Sequence, residues 1–514
     1  MAYYKLHAYD ADVFITNFMG LNQYGPGMNG DVRYAVDEKN METPAGVLQP
    51  AAAPEVLSYS FDSRIETLAY LHRRWYSGSD NKDVLFAATG GKLYYHVVGS
   101  TGWTQLSFPT SVTAYQSNVW SWVAYEINPV GSTASVDVLL LSNAKDGMIM
   151  VRGDNFTVSA VATPKKFGVI ERYAERIWGG AIEDDPDMLV YSAPFDPTDW
   201  KARNENPDPD DPWQEEGEPE DGAGDLNQPS WDGDSFTALR SFGSQLIAFK
   251  RTRVWRILGT DPGEYTFKEQ YGGGAPYFNT IAVDTERILM MDKDGMNVYD
   301  GLSVNPYYRE PAEALWRTVN HAALDQMCAA LFQKKYYVAF PTGTSTTNNA
   351  LLVFNFRGGT VLYRNDISIE SFLVAGDALY ATSSTLPGKI LKINYDSWIT
   401  GTATDSPAKW VSPWMDFGYK RMTKGGFELY FTPEVKDEAV TLKFTVETEK
   451  KNKSKSYTVQ PLTAEQMANG KEYKQKRLHI AGTGRRFRIV IEATSSAPWR
   501  LIGGIQMVVE TDTD

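Results

Sequence analysis

The sequence holds one cysteine, Cys328, so no disulfide can form within the chain, as expected of a protein assembled in a reducing cytoplasm. We read Cys328 as a buried apolar filler. Histidine is sparse too: His7, His72, His96, His321 and His479 lie far apart, with no His-x-x-x-His pair and no cysteine beside any of them. That spacing argues against a zinc site. No run approaches the roughly 20 apolar residues that span a bilayer. The opening Met1-Ala2-Tyr3-Tyr4-Lys5-Leu6-His7 lacks the basic-then-apolar layout of a signal peptide. A soluble chain with no membrane partner and no export signal is therefore expected. Walker loops, Gly-x-Ser-x-Gly elbows and dinucleotide fingerprints are missing, and Gly272-Gly-Gly-Ala-Pro276 has no helix behind it to hold a phosphate. Positive charge is in short supply: 50 Lys and Arg against 64 Asp and Glu give −14, which disfavours tight binding to nucleic acid.

What is present is a packed protein. Apolar residues at 42% and charged residues at 22% exclude a disordered or collagen-like chain. At 514 residues the chain exceeds one compact core, so two domains or a closed repeat architecture is expected. The 13% aromatic share, with 42 Gly and 26 Pro, points to strands and turns and hence to an all-β fold. A degenerate unit recurs. Asp83 to Leu106 reads as strand, Gly-Gly turn, strand, Gly turn, strand, and similar meanders follow. Strand openings near Ile65, Val119, Glu171, Phe236, Thr280, Leu324 and Phe372 are spaced as propeller blades are. We expect a β-propeller of seven blades, with six as the alternative, because the last unit is short and needs a strand from the N-terminal segment.

The run Ser397 to Pro407 has the small, polar composition of a linker. From Asp405 onward 12 Lys and 6 Arg face 14 acids, a balance of +4 that leaves −18 on residues 1–404. The expected division is an extended N-terminal segment over 1–60, a propeller over 61–397 and a β-sandwich over 405–514, closed by Trp499 to Glu510. Trp410 and Trp499 are expected in the core. An insert at 201–230 interrupts the propeller with ten acids, four prolines and no Lys or Arg between Glu205 and Asp225. Its prolines fall where an EF-hand needs ligands, so a solvated loop is expected, with ion or partner binding the alternative. Asp292-Lys-Asp294-Gly295 reads as a hairpin turn and Lys450-Lys-Asn-Lys-Ser-Lys455 as a solvated hairpin tip. No sialidase box or pairable carboxylates stand out, so no catalytic residue, metal or cofactor is assigned and an enzyme is not expected.

Several stretches resemble the neck and tail nozzle (tail stabilisation) proteins of tailed bacteriophages. These are Ile15-Thr-Asn-Phe-Met-Gly-Leu-Asn-Gln23, Asp37-Glu-Lys-Asn-Met41, Gly46-Val-Leu48, Glu171-Arg-Tyr-Ala-Glu-Arg-Ile-Trp-Gly179, Tyr191 to Trp200, Leu246 to Lys250 with Ile257 to Thr260, and Trp410-Val-Ser-Pro-Trp-Met-Asp-Phe-Gly418. Met19 stands where the family commonly has a first Gly. The resemblance implies a structural virion protein, assembled in the host cytoplasm, forming a ring of six copies below the portal. Its partners would be the connector and distal tail proteins, with the genome passing during ejection and no specific DNA binding. The N-terminal segment, about residues 12 to 50, has too few consecutive apolar residues for a core of its own, so it is expected to run extended and stitch the ring, with Asn17, Phe18, Leu21, Asn22 and Arg33 as the candidate assembly residues. The alternative function is a surface-binding propeller adhesin recognising a host glycan or protein.

Overall fold

The computed structural model describes residues 9–24, 30–77, 82–109, 112–128, 134–227, 233–468 and 470–511. Among them, seven four-stranded antiparallel sheets follow one another along the chain. We number them as blades by their innermost strands: Thr67–His72, Ser121–Ile127, Val169–Tyr173, Ala238–Phe242, Ala282–Val283, Cys328–Phe332 and Ser371–Ala375. Each lies within four residues of an opening expected from the sequence. Blade 7 has three strands of its own, and its fourth is Glu55–Val56, paired with Ile390–Lys392. The propeller thus has seven blades and is closed by the N-terminal segment.

Period-two alternation explains the continuous apolar runs. In blade 2 the strand Val136–Asn143 sends Leu139 and Leu141 into the cluster shared with blade 1, and Val138 and Leu140 into the cluster shared with blade 3. In blade 6, Leu351 and Val353 face blade 7 while Leu352 and Phe354 face blade 5. Such strands are buried on both faces, so they need no polar side. Seven clusters of this kind each join consecutive blades, the last joining blade 7 to blade 1 through Phe61, Ile65, Leu373 and Leu85. The hairpin at Gly90-Gly91 shows how a turn is set: both glycines have positive φ, 59° and 72°, between the paired residues Thr89 and Lys92. Lys293 and Asp294 form the expected turn between Asp292 and Gly295, and Gly272 to Pro276 links blades 4 and 5.

The C-terminal part contains two antiparallel sheets around one core. The four-stranded sheet runs Tyr9–Ile15, Trp499–Thr511, Lys424–Val435, Lys476–Ile480. The five-stranded sheet runs Asp37–Lys39, Ala408–Val411, Phe487–Ala493, Val440–Thr448, Lys453–Val459. In Phe487–Ala493, alternate residues Phe487, Ile489 and Ile491 enter the core. On the other face Arg488 pairs with Glu447, and Glu492 with Lys443. Trp410 and Trp499 are core residues, 0% and 1% exposed. Lys450 and Lys451 sit at the tip between the last two strands named.

Two expectations change. Residues 1–60 are not a segment apart, because Tyr9–Ile15 and Asp37–Lys39 are strands of the two C-terminal sheets and Glu55–Val56 is a strand of the propeller. The acidic insert is not a loop outside the blades. It lies between the third and fourth strands of blade 3, and its end, Gly224–Asn227, is that fourth strand. Within it Ala202–Asn204 pairs in parallel with Gln214–Glu216. The stretch still buries little by itself, and Arg176 in blade 3 helps to hold it. That side chain, 1% exposed, donates to the carbonyls of Ser192, Glu220 and Gly222.

Candidate functional site

The N-terminal strap ties the two units together, and its path defines the site. After Ile15 the chain leaves the sheet and Phe18 places its ring against Trp410. The Leu21 N–H then donates to the Val361 carbonyl on the outer strand of blade 6, at 2.7 Å. Its side chain is buried in the cluster between blades 5 and 6. Gln23 reaches further, its N–H donating to Pro311 while its Oε1 accepts from the Leu315 N–H at 2.8 Å. The strap then doubles back. The Ala35 N–H donates to Gly20, the Asn22 N–H donates to Ala35, and Asp37–Lys39 pairs with Ala408–Val411.

Asn40 knots three elements at one point. Its Nδ2 donates to Asn365 Oδ1 (2.9 Å) beyond blade 6 and to the Pro407 carbonyl (3.0 Å), and its Oδ1 accepts from the Asn365 N–H (2.9 Å). Its φ of +54° is a conformation that Asn tolerates better than most residues. Past it, Leu48 bridges to Leu501 and Ala52 to Ala403. The Ser397–Pro407 run is therefore pinned rather than loose: Ser397 is fully buried, its hydroxyl donating to the Pro50 carbonyl.

A charged cluster is buried in this seam. Arg364 of blade 6, 3% exposed, forks onto Asp366 at 2.7 and 3.0 Å and donates to the Ala52 carbonyl at 2.9 Å. Burial opposes charge on Asp366, but the guanidinium outweighs it and holds the carboxyl below its ordinary value. Glu42 lies 3.9 Å from the same guanidinium, and burial pushes its carboxyl up to about 7, with Arg364 and Lys335 offsetting part of the cost. Glu38 is more extreme. Both its carboxyl oxygens are buried without a hydrogen-bond partner, and burial, then Asp37 and Glu42, push it well above the usual range. Beside Glu42 is a cavity of about 160 Å³ lined by Asn17, Thr43, Lys335, Asn355 and Tyr395 among others. Glu42 Oε2 and Thr43 Oγ1 are buried there without a protein partner. The Lys335 ammonium lies 5.1 Å from the centre of the Tyr395 ring.

The five residues expected to serve assembly all fall on the strap. Phe18 and Leu21, 1% and 2% exposed, build the seam inside the subunit rather than a surface for a neighbour. Asn17 lines the cavity, Asn22 Oδ1 accepts from the Tyr24 N–H, and Arg33 pairs with Asp31 at 2.6 Å. Sequence reading missed Glu42 and Arg364, and it picked out Glu38 and Asn40 only as part of Asp37 to Met41, with no role assigned. Two acids and a Tyr-Arg-Asn-Asp run carry no sign of burial until the strap lies on blade 6. Cys328 is buried as expected, which pushes its thiol up. Among the described residues no group of three or more His, Cys, Asp or Glu could hold a metal ion, and no helix is long and apolar enough to cross a membrane.

No protein-family model matches the chain, and no curated protein matches it either. Solved structures with a related fold include the WD40 domain of Neurospora crassa Pan2, 9% identical over 65% of this chain and 90% of that one, with a TM-score of 0.35. A chain of the complex of BBS1N with ARL6DN is 10% identical over 67% of this chain and 97% of that one, with a TM-score of 0.38. A chain of a mitotic checkpoint complex is 11% identical over 67% and 99%, with a TM-score of 0.36. The propeller assignment rests on the seven sheets themselves.

Proposed function

We propose that this chain is a structural protein of a tailed-bacteriophage neck or tail, a subunit of a nozzle-like ring below the portal through which the genome passes. The observation that carries the reading is where four of the resembling stretches lie, the others falling in blades 3 and 4. Ile15 to Gln23, Asp37 to Met41, Gly46 to Leu48 and Trp410 to Gly418 are scattered through the sequence, yet they meet in one seam. Phe18 packs on Trp410, the Phe18 N–H donates to Gly46, and Asp37 pairs with Val411. Motifs built of ordinary strand and turn residues are thus the parts that weld propeller to sheets.

A ring subunit needs that weld. It must present one face to the copy before it and another to the copy after, at a fixed angle, and a hinge between the units would blur that angle. The electrostatics agree with genome passage: −18 over residues 1–404 offers phosphates few adhesive partners. Connector and distal tail proteins are the neighbours this role requires. The reading is tested by labelling purified virions with an antibody to the chain and imaging them. Label at the neck, in a collar around the tail axis, is the expected result. Label confined to fibre tips would instead mark an adhesin and overturn the proposal.

A further inference from the structure

The end of the two-sheet unit farthest from the propeller carries a basic concavity of about 730 Å³, lined by Lys420, Lys450, Arg485 and Arg486 with Asp416, Thr423 and Glu449. The strand Lys424–Val435 sets this placement. Its Val435 end pairs with Trp499, two residues from the Leu501 that bridges to Leu48 on the strap, whereas Lys424 bridges to Gly484 at the opposite end. The walls are fixed from within. Lys424 is fully buried and donates Nζ to the carbonyls of Tyr419, Met422 and Arg485, at 2.5, 3.1 and 2.8 Å, tying two loops together. Glu449 turns its carboxylate onto the loop backbone, accepting from the N–H groups of Arg485 and Arg486 at 2.6 and 3.1 Å. Lys420, Lys450, Arg485 and Arg486 are all exposed.

A complementary surface lies on the far side of the molecule. Of the ten acids between Glu205 and Asp225, all but Asp211 are exposed, and Glu215 is the one that forms an ion pair among the described residues. Blade 3, which bears them, stands three blades from blade 6 in one direction and four in the other. Blade 6 is where the strap fastens the two-sheet unit. The acidic insert and the basic concavity therefore belong to different sides of the ring of blades, and within one chain they do not meet. Between two chains in like orientation they can.

We propose that the acidic insert of one copy docks in the basic concavity of the next. Each chain uses both surfaces once, so the contact is heterologous and propagates from copy to copy, closing when the rotation per step allows. Complementary charge sets the register and speeds encounter, and salt weakens it. The ring proposed above rests on such a contact, but the contact stands or falls in purified protein whether or not the ring belongs to a virion.

The test uses full-length chains in sedimentation velocity at low salt. One variant carries Lys420→Glu, Lys450→Glu and Lys451→Glu, and the other Asp210→Lys, Glu216→Lys and Glu218→Lys; all six side chains are exposed, and thermal melting checks that both variants fold. Wild type is expected to self-associate and to dissociate as salt is raised. Each variant alone should associate about a hundredfold more weakly, since like charges then face each other. An equimolar mixture of the two should regain association, because each supplies the surface the other has reversed. A wild type that stays monomeric at low salt, variants that associate as wild type does, or a mixture without recovery would each overturn the proposal.

Discussion

The ring of Phe18 stands edge-on to the indole of Trp410, with centroids 5.2 Å apart and planes at 89°. The two residues come from opposite ends of the sequence, and both are buried. Edge-to-face geometry adds to the apolar area they cover, so this contact closes the strap against the five-stranded sheet. Phe18→Ala is expected to cost about 3–5 kcal/mol in denaturant unfolding, the usual loss for a buried phenyl ring. A change below about 1 kcal/mol, within the range of surface substitutions, would show that the strap does not weld the units.

Glu42 makes stability depend on pH in a stated direction. Its carboxyl titrates near 7 in the fold against an ordinary 4.5, so the folded state holds a proton that the unfolded state releases. Its contribution is fully present below pH 4.5 and is lost as pH rises through 7, a change of up to about 3 kcal/mol. Glu42→Gln removes that titration. Comparing urea midpoints at pH 5 and pH 8, the variant should lose less stability on the alkaline side than wild type, with Glu38 and Glu171 keeping part of the trend in both. An unchanged pH dependence would contradict the buried setting of Glu42.

Arg176 tests whether the acidic insert is held by the blade. Arg176→Ala leaves the carbonyls of Ser192, Glu220 and Gly222 without their donor, costing about 1–3 kcal/mol for a buried group left unpaired. Residues 205–225 contain no Lys or Arg, so a protease specific for Glu is the right probe. Cleavage there should accelerate in the variant while the rest of the chain resists. Equal rates would mean that the insert's order does not come from Arg176.

How much of this was legible beforehand follows from the range of each interaction. The blade openings were visible because a strand buried on both faces writes a continuous apolar run, as Val136–Asn143 does, and Gly-Gly or Asp-Gly punctuates it locally. Blade 7 betrayed its missing strand by its shortness. The pairing of Asp12 with Val508 left no local mark, since Tyr9–Ile15 alternates like any edge strand and its partner is at the other end of the chain. Phe18 and Leu21 stood out by motif, but their burial depends on Trp410 and blade 6. The Arg364, Asp366 and Glu42 cluster was invisible for the same reason.

Removing the strap through Ala51 should do more than impair assembly. Ile15, Phe18, Met41 and Leu48 are 0–1% exposed members of the core between the two sheets, so their loss opens that core to water. The truncated chain is expected to bind a hydrophobic dye and to lose cooperative unfolding. A compact, cooperatively unfolding truncation would show that the C-terminal sheets need only their own strands.

The ring itself is decided by native mass measurement of the neck and tail complex released from particles. Six chains of 57.5 kDa contribute about 345 kDa, and the proposed ring predicts that increment, with imaging that shows six propellers around an open channel. One or three copies per particle, placed on a fibre or at the tail tip, would contradict it.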